Sequence, residues 1–305
     1  MNSIYNQNFI DTHIHLWDLN KNSYDWINKS SVKKLQNNYL INDYFKDTDF
    51  LNINKAVHIQ AEINKDQSLL ETKWLQSIAE NNKLGIPNAI IGFVDLQEID
   101  FQKKLEQHMQ YANFRGIRQI LKYDRKDLNK ELYLLNNIDY NNNLKILGNK
   151  NLNFDLLINY YQYKNVVKIL MKNKNVQFII NHCLWPIDIS NENFQMWKNA
   201  IKLLSKFENV CIKISGFGEL HGLSKSIGIK KKLWSIDSLR PFIEYCIDSF
   251  GIRRCMFGTN FPVDKAFAAN KYIDYWYAYH TILENFNLEE KNFLFTKNAE
   301  HYYKI

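Results

Sequence analysis

Eight short runs rich in apolar and β-branched residues recur along the chain, separated by stretches whose apolar positions return at helical spacing. The runs are Phe9–Trp17 (FIDTHIHLW), Lys55–Glu62 (KAVHIQAE), Asn88–Leu96 (NAIIGFVDL), Arg115–Leu121 (RGIRQIL), Asn153–Gln162 (NFDLLINYYQ), Val176–Trp185 (VQFIINHCLW), Val210–Gly216 (VCIKISG) and Arg254–Pro262 (RCMFGTNFP). Between the second and third, residues 66–83 place Leu69, Leu70, Trp74, Leu75 and Ile78 on one face and stop before Gly85, which predicts a helix. Pro241 suits the first turn of a helix over RPFIEYCIDSF, where its missing N–H costs nothing, and Gly251 suits the stop. The asparagine-rich stretch 136–153 reads as loop. Apolar strands alternating with helices predict a parallel sheet covered on both faces. Eight such units predict an α/β fold, a single-domain (β/α)8 TIM barrel over residues 1–305. An open doubly wound sheet is the competing architecture, but no GxGxxG or GxxxxGK[ST] element follows any run. Two long connections, 18–54 and 217–234, follow strands and so belong on the face where barrels keep their active sites.

Composition changes this picture little. Of 305 residues, 46% are hydrophobic and 23% charged, an ordinary globular balance. No apolar run approaches the ~20 residues that a bilayer crossing needs. The start, MNSIYNQNFIDTHIH, has neither a basic nor an apolar leader region, so a cytoplasmic protein is expected. Cys183, Cys211, Cys246 and Cys255 show no CxxC spacing and read as free, packed thiols. The net charge of +7 comes from 39 basic against 32 acidic residues. The excess is mostly lysine, spread thinly, which lacks the focused footprint of a nucleic-acid binder. Its one local run, Lys225–Lys232 (KSIGIKKK), reads as a solvated loop or as an attractor for an acidic substrate. The expected partner is therefore a small, anionic molecule, not nucleic acid or membrane; a homo-oligomer stays open.

Chemistry-bearing residues gather late in the runs. His13 and His15 form an H-x-H pair on one strand face and can reach one metal from the same side, with Asp11 sharing that face. His58, Gln60 and Glu62 alternate against Val57, Ile59 and Ala61 in the second run. Arg118, in the fourth run, lies opposite in parity to Ile117; His182, Lys213, Ser215 and Asn260 follow in the last three. Polar groups where a barrel would otherwise place Val, Ile or Leu are expensive to bury, so a set converging at strand ends reads as a site. His108, His221, His280 and His301 read as packing or surface residues.

DTHIHLWD near the start, NH-x-x-x-P (Asn181, His182, Pro186), KISG (Lys213–Gly216) and RCMFGTNFPVD (Arg254–Asp264) together resemble the amidohydrolase-related branch of the amidohydrolase superfamily. GIRQIL and NFDLL are similar to that branch's fourth and fifth strands. The branch contains lactonases for sugar acids and for aromatic breakdown products. The resemblance implies a hydrolase centred on His13, His15 and His182, with or without one divalent metal, zinc or manganese. Such a metal polarises a carbonyl and lowers the pKa of bound water. It further implies that an acidic residue ends strand eight as general base, where this chain has Asn260. An amide takes no proton at neutral pH, so Asp264, Glu62 and His58 become the alternative bases. Leu184 stands where relatives often have Gly, implying a narrower mouth. Lys122 is a poor match for a metal-bridging lysine, so at most one metal is expected. Arg118, Gln60, His58, Gln162 and Lys213 are the expected substrate contacts. Trp17, Trp26 and Trp185 are expected near the rim. The expected reaction is lactone opening; a decarboxylase of the same superfamily and a degenerate metabolite-binding barrel are the alternatives.

Overall fold

A computed structural model of the chain describes residues 4–123, 137–186, 191–226, 235–268 and 270–305. Eight parallel strands run in chain order around one sheet: β1 (Asn8–Ile14), β2 (Asn52–Ile59), β3 (Ala89–Gly92), β4 (Phe114–Ile120), β5 (Asn153–Leu157), β6 (Gln177–Ile180), β7 (Val210–Ile214) and β8 (Cys255–Phe257). β8 returns to β1 through the Ile14–Phe261 bridge and the His15 N–H donated to the Phe261 carbonyl at 2.7 Å. The architecture is the expected (β/α)8 barrel, with helices between the strands. No helix among the described residues is long and apolar enough to cross a membrane. All four cysteines are free and buried.

Two apolar layers hold it. Val57, Ile59, Ala89, Ile91, Ile179, Cys211 and Met256 meet across the barrel with Tyr303 from the C-terminal helix, which only inward-facing residues of opposite strands can do. The outer layer joins the other strand faces to the helices, for example through Phe9 against Trp276 and Phe295. Within the barrel, the fully buried Lys213 pairs with Asp155 at 2.8 Å. Asp155 also accepts hydrogen bonds from Asn181 Nδ2 and the Tyr303 hydroxyl. Lys213 is thus committed to an interior ion pair and corrects the expectation of a substrate contact.

Several local expectations change. Helix Ile138–Asn149 occupies the asparagine-rich stretch: Asn137 caps it by accepting from the Tyr140 N–H, and Tyr140, Leu144 and Leu147 bury one face. That i, i+4, i+7 face outweighs the weak helix propensity of asparagine. Helix Ile236–Phe250 begins a turn and a half earlier than Pro241 suggested, at the Ser235 cap, so the proline lies inside it; Gly251 ends it as expected. Helix Ser68–Glu80 buries Glu71, Thr72, Leu75, Gln76 and Ala79, while Leu70 faces solvent. Most of the lysine-rich run falls in 227–234, outside the described residues.

Removing one member of a buried ion pair leaves the other charge uncompensated. Lys213→Met should therefore cost about 3–5 kcal/mol of unfolding free energy. Urea unfolding of the variant checks this; a loss below about 1 kcal/mol would mean that Asp155 does not need its lysine.

Candidate active site

The strands end sooner than the sequence runs suggest, and the residues just past their ends take left-handed backbone. Glu62 after β2 has φ 55°, His182 to Trp185 after β6 have φ between 50° and 63°, and Asn260 after β8 has φ 54°. Non-glycine residues at such angles carry strain, and such strain collects at functional sites. At β1 the same re-aiming is done by register. Asp11 pairs with Ala56 and Ile14 with His58, so β1 holds one extra residue between them, a bulge. Asp11 consequently leaves the face of His13 and His15, correcting the shared-face expectation. It accepts from the Thr259 N–H at 2.9 Å and the Tyr272 hydroxyl at 2.8 Å, fastening β8 to β1. Burial raises its pKa to about 6.

His13 and His15 meet Nε2 to Nε2 at 3.2 Å, and the His182 ring lies over His13 with centroids 4.3 Å apart. His15 Nδ1 donates to the Ile59 carbonyl at 2.7 Å, which leaves its Nε2 a bare acceptor. Asn260 Nδ2 donates to Asp264 Oδ1 at 2.8 Å and to Glu219 Oε2 at 3.3 Å, which leaves its Oδ1 3.2 Å from His15 Nε2, two acceptors with no hydrogen between them. His182 Nδ1 shares a hydrogen bond with the Ser215 hydroxyl at 2.9 Å. Burial, reinforced by Arg118 at all three, by Lys213 at His13 and His182, and by Lys122 at His182, holds these imidazoles far below the usual histidine pKa, so they are neutral. Glycine makes room for them. A Cβ on Gly216, itself at φ 81°, would stand 2.5 Å from His182 Nδ1, and one on Gly258 would stand 2.8 Å from His13 Cβ.

The donor set meets the spacing of a metal site only in part. Two imidazole nitrogens on one tetrahedral zinc stand about 3.3 Å apart, given Zn–N bonds of about 2.0–2.1 Å. His13 and His15 meet that separation. The remainder does not: among the described residues no group of three or more His, Cys, Asp or Glu side chains is disposed to hold a metal. His182 lies against His13 with the rings tilted by 42° and its Nδ1 spent on Ser215, and Asn260 adds only a neutral amide oxygen. The three-imidazole centre on His13, His15 and His182 is therefore not formed, and no catalytic step is derived through a metal.

Asp264 also takes a different place from the one expected of a base. It is fully buried and accepts from the Gly218 N–H (2.9 Å) and Glu219 N–H (3.1 Å), capping helix Phe217–Ser226. Burial raises its pKa to about 8. It anchors Asn260 and the helix start while its neighbour Glu219 reaches the cavity. Glu219 lines an inner pocket of ≈ 90 Å³ with Arg118, Lys122, His15, His182 and Asn260. Burial raises its pKa above the ordinary carboxylate value, Lys122 acting against the rise. Neither Glu219 nor Lys122 was singled out as a site residue from the sequence, although the connection after β7 was placed on the catalytic face. Lys122 stands over the Trp185 ring, Nζ 3.7 Å from its centroid.

The other expected contacts divide. Arg118 faces the pocket, its Nη2 donating to the Gln60 carbonyl and its Nε without a partner. Glu62 lines both the inner pocket and an outer chamber of ≈ 490 Å³, which Gln60 joins. His58 packs behind β1, its Nε2 accepting from the Leu16 N–H at 2.9 Å, and its pKa falls to about 3 by burial, so it is neither base nor contact. Gln162 is spent on backbone: Oε1 accepts from Asn159 and Tyr123, and Nε2 donates to Leu121. Leu184 is in the core and does not narrow the mouth. Trp17 is core as well, whereas Trp26, its Nε1 held by the Ala61 carbonyl at 2.6 Å, borders both cavities.

A family model described as Amidohydrolase matches residues 10–305. The chain belongs to that family. An uncharacterized protein, y4mH of Sinorhizobium fredii, is 34% identical over 97% of this chain and 98% of its own length. An amidohydrolase from Burkholderia multivorans, solved with HEPES and separately with zinc, shares the fold at TM-score 0.83 and 19% identity, covering 98% of this chain and 100% of its own. A probable 2-pyrone-4,6-dicarboxylic acid hydrolase from Acinetobacter baumannii, with citric acid bound, shares it at TM-score 0.72 and 16% identity, with the same coverage of 98% and 100%.

Two measurements check this geometry. Calorimetric titration of the metal-free family member with zinc should show no site tighter than about micromolar; a tighter site lost in His13→Ala would restore a metal centre. Gly216→Ala should displace His182, seen as a changed His182 imidazole NMR resonance in a folded protein; an unchanged resonance would remove the glycine argument.

Proposed function

We propose that the chain opens a cyclic ester of a small anionic acid, with Glu219 as the general base. The observation that carries this is one pocket wall: a half-buried carboxylate of raised pKa, Glu219, shares it with two cations, Arg118 and Lys122. A carboxylate that holds protons more tightly than a solvated one is a better base at neutral pH. Two cations beside it suit a developing oxyanion and an acid group.

In this reading Arg118 donates to the ester carbonyl oxygen, and water attacks the carbonyl carbon while Glu219 accepts its proton. The ring C–O bond then breaks, and protonated Glu219 returns that proton to the departing oxygen. The products are a carboxylic acid, which releases its proton to solvent and becomes a carboxylate, and a hydroxyl on one open chain, with Glu219 restored. Asn260 takes no proton; its amide fixes one oxygen of Glu219 and leaves the other free. The neutral histidines shape the polar floor. The similarity to a chain named as a pyrone-dicarboxylic acid hydrolase supports the reading, since a 2-pyrone is a cyclic ester.

The test is hydrolysis of five- and six-membered aldonolactones and pyrone carboxylates, followed by a pH indicator. Glu219→Gln should lower kcat by about 10²–10⁴ with a smaller change in KM. Because the base works ionised, the wild-type rate should rise with pH through an apparent pKa above ~4.3, the ordinary glutamate value. Carbon dioxide release without ring opening, or an unaltered Glu219→Gln enzyme, would overturn the proposal.

A further inference from the structure

Ligand pockets for small molecules run to about 300–1,000 Å³. The inner pocket, at ≈ 90 Å³, has room for the reacting group alone, so the remainder of any substrate must extend elsewhere. Trp26, Glu62 and Ile120 line both the inner pocket and the outer chamber of ≈ 490 Å³, so the two adjoin along one wall. The chambers differ in charge. In the inner one Arg118 and Lys122 stand with Glu62 and Glu219, two cations with two carboxylates, whereas Asp25, Glu62 and Asp95 line the outer one against a single lysine, Lys65. Lys65 is already bound to Asp95 at 2.7 Å. A second anionic group would be repelled there.

What the outer chamber offers is half of two amides. Gln60 and Gln119 are both buried. Gln60 Oε1 accepts from the Glu62 N–H, and Gln119 Nε2 donates to the Val94 carbonyl at 3.2 Å. The opposite ends, Gln60 Nε2 and Gln119 Oε1, have no hydrogen-bond partner among the described residues, and both side chains line the chamber. One donor and one acceptor on a wall are what a hydroxyl, itself donor and acceptor, satisfies. Trp26, Phe93 and Tyr123 add aromatic surface of the kind that sugar rings cover.

We infer that the outer chamber is a subsite for an uncharged, hydroxyl-rich extension of the substrate, so that the lactone carries a second sugar ring or an equivalent polyol chain. This rests on the cyclic-ester reading for the inner pocket and adds the class of substrate to it. The extension seats its hydroxyls on Gln60 Nε2 and Gln119 Oε1 while the ester lies under Glu219 and Arg118.

The experiment has two arms. In the first, kcat/KM is compared for gluconolactone and lactobionolactone, one ring against two. Wild type should favour the two-ring compound about tenfold or more, and Gln119→Leu should shrink that ratio by about tenfold. Phe93→Leu should shrink it as well, which keeps the test alive if one variant fails to fold. Equal rates on both lactones, or ratios unmoved by both variants, overturn the subsite. In the second arm, calorimetry compares gluconate with lactobionate and needs no turnover. Tighter binding of lactobionate, lost in Gln119→Leu, supports the subsite even if neither lactone is hydrolysed, an outcome that would defeat only the cyclic-ester reading. Equal affinity overturns it.

Discussion

The active-site side of this barrel depends on the amide of Asn260. Both of its hydrogens are tied to carboxylates, Asp264 beneath and Glu219 beside, and this forces its oxygen toward His15. An amide can hold both carboxylates because its nitrogen carries two hydrogens, and its oxygen then stands beside the bare Nε2 of a neutral His15, acceptor beside acceptor. A carboxylate in its place would set three acidic groups against one another in a site that excludes water, and like charges that close cannot all ionise. With the amide, Asp264 is left to cap helix Phe217–Ser226, and Glu219, the third residue of that helix, is delivered to the pocket. Pocket carboxylate, amide bracket and helix start are therefore one hydrogen-bonded unit linking β7 to β8.

Around that unit the barrel accepts local strain to aim its polar groups. The left-handed residues at 62, 182 and 260, and the bulge in β1, all lie at strand ends. Strain of this kind persists only where neighbours over-determine the backbone. Here the neighbours are visible: Gln60 and Glu71 on the turn after β2, Ser215 and Gly216 against His182, and Asp11 on Thr259. The interior supplies the rigid base, since Tyr303 and the Lys213–Asp155 pair fill the barrel where a pore would otherwise run.

Much of the fold was legible, and particular residues show why. Eight apolar runs marked eight strands, because parallel strands covered on both faces must be apolar along their length. The helix over 138–149 was hidden because its signal is three residues, Tyr140, Leu144 and Leu147, among asparagines that ordinarily mark turns. The site was legible in part. His13, His15, His182 and Arg118 stand in the pocket region, whereas His58, Gln162 and Lys213 turned out to serve backbone or interior partners. Alternation along a strand assigned Asp11 to the face of His13, and one inserted residue reversed that.

The sequence by itself determined the order and number of strands, the family, and that strand eight ends in an amide. It also carried the glycines that let His182 and His13 sit against neighbouring backbone. The tertiary structure decided which carboxylate reaches the pocket, that Arg118 and Lys122 line it too, and that the outer chamber is the more acidic of the two. The physical reason is that strand and helix periodicities are local and leave a trace every two or four residues. Desolvation and hydrogen-bond partnership, by contrast, are set by residues far apart in the chain, as Glu219 and Asn260 are, and these appear only when the barrel closes.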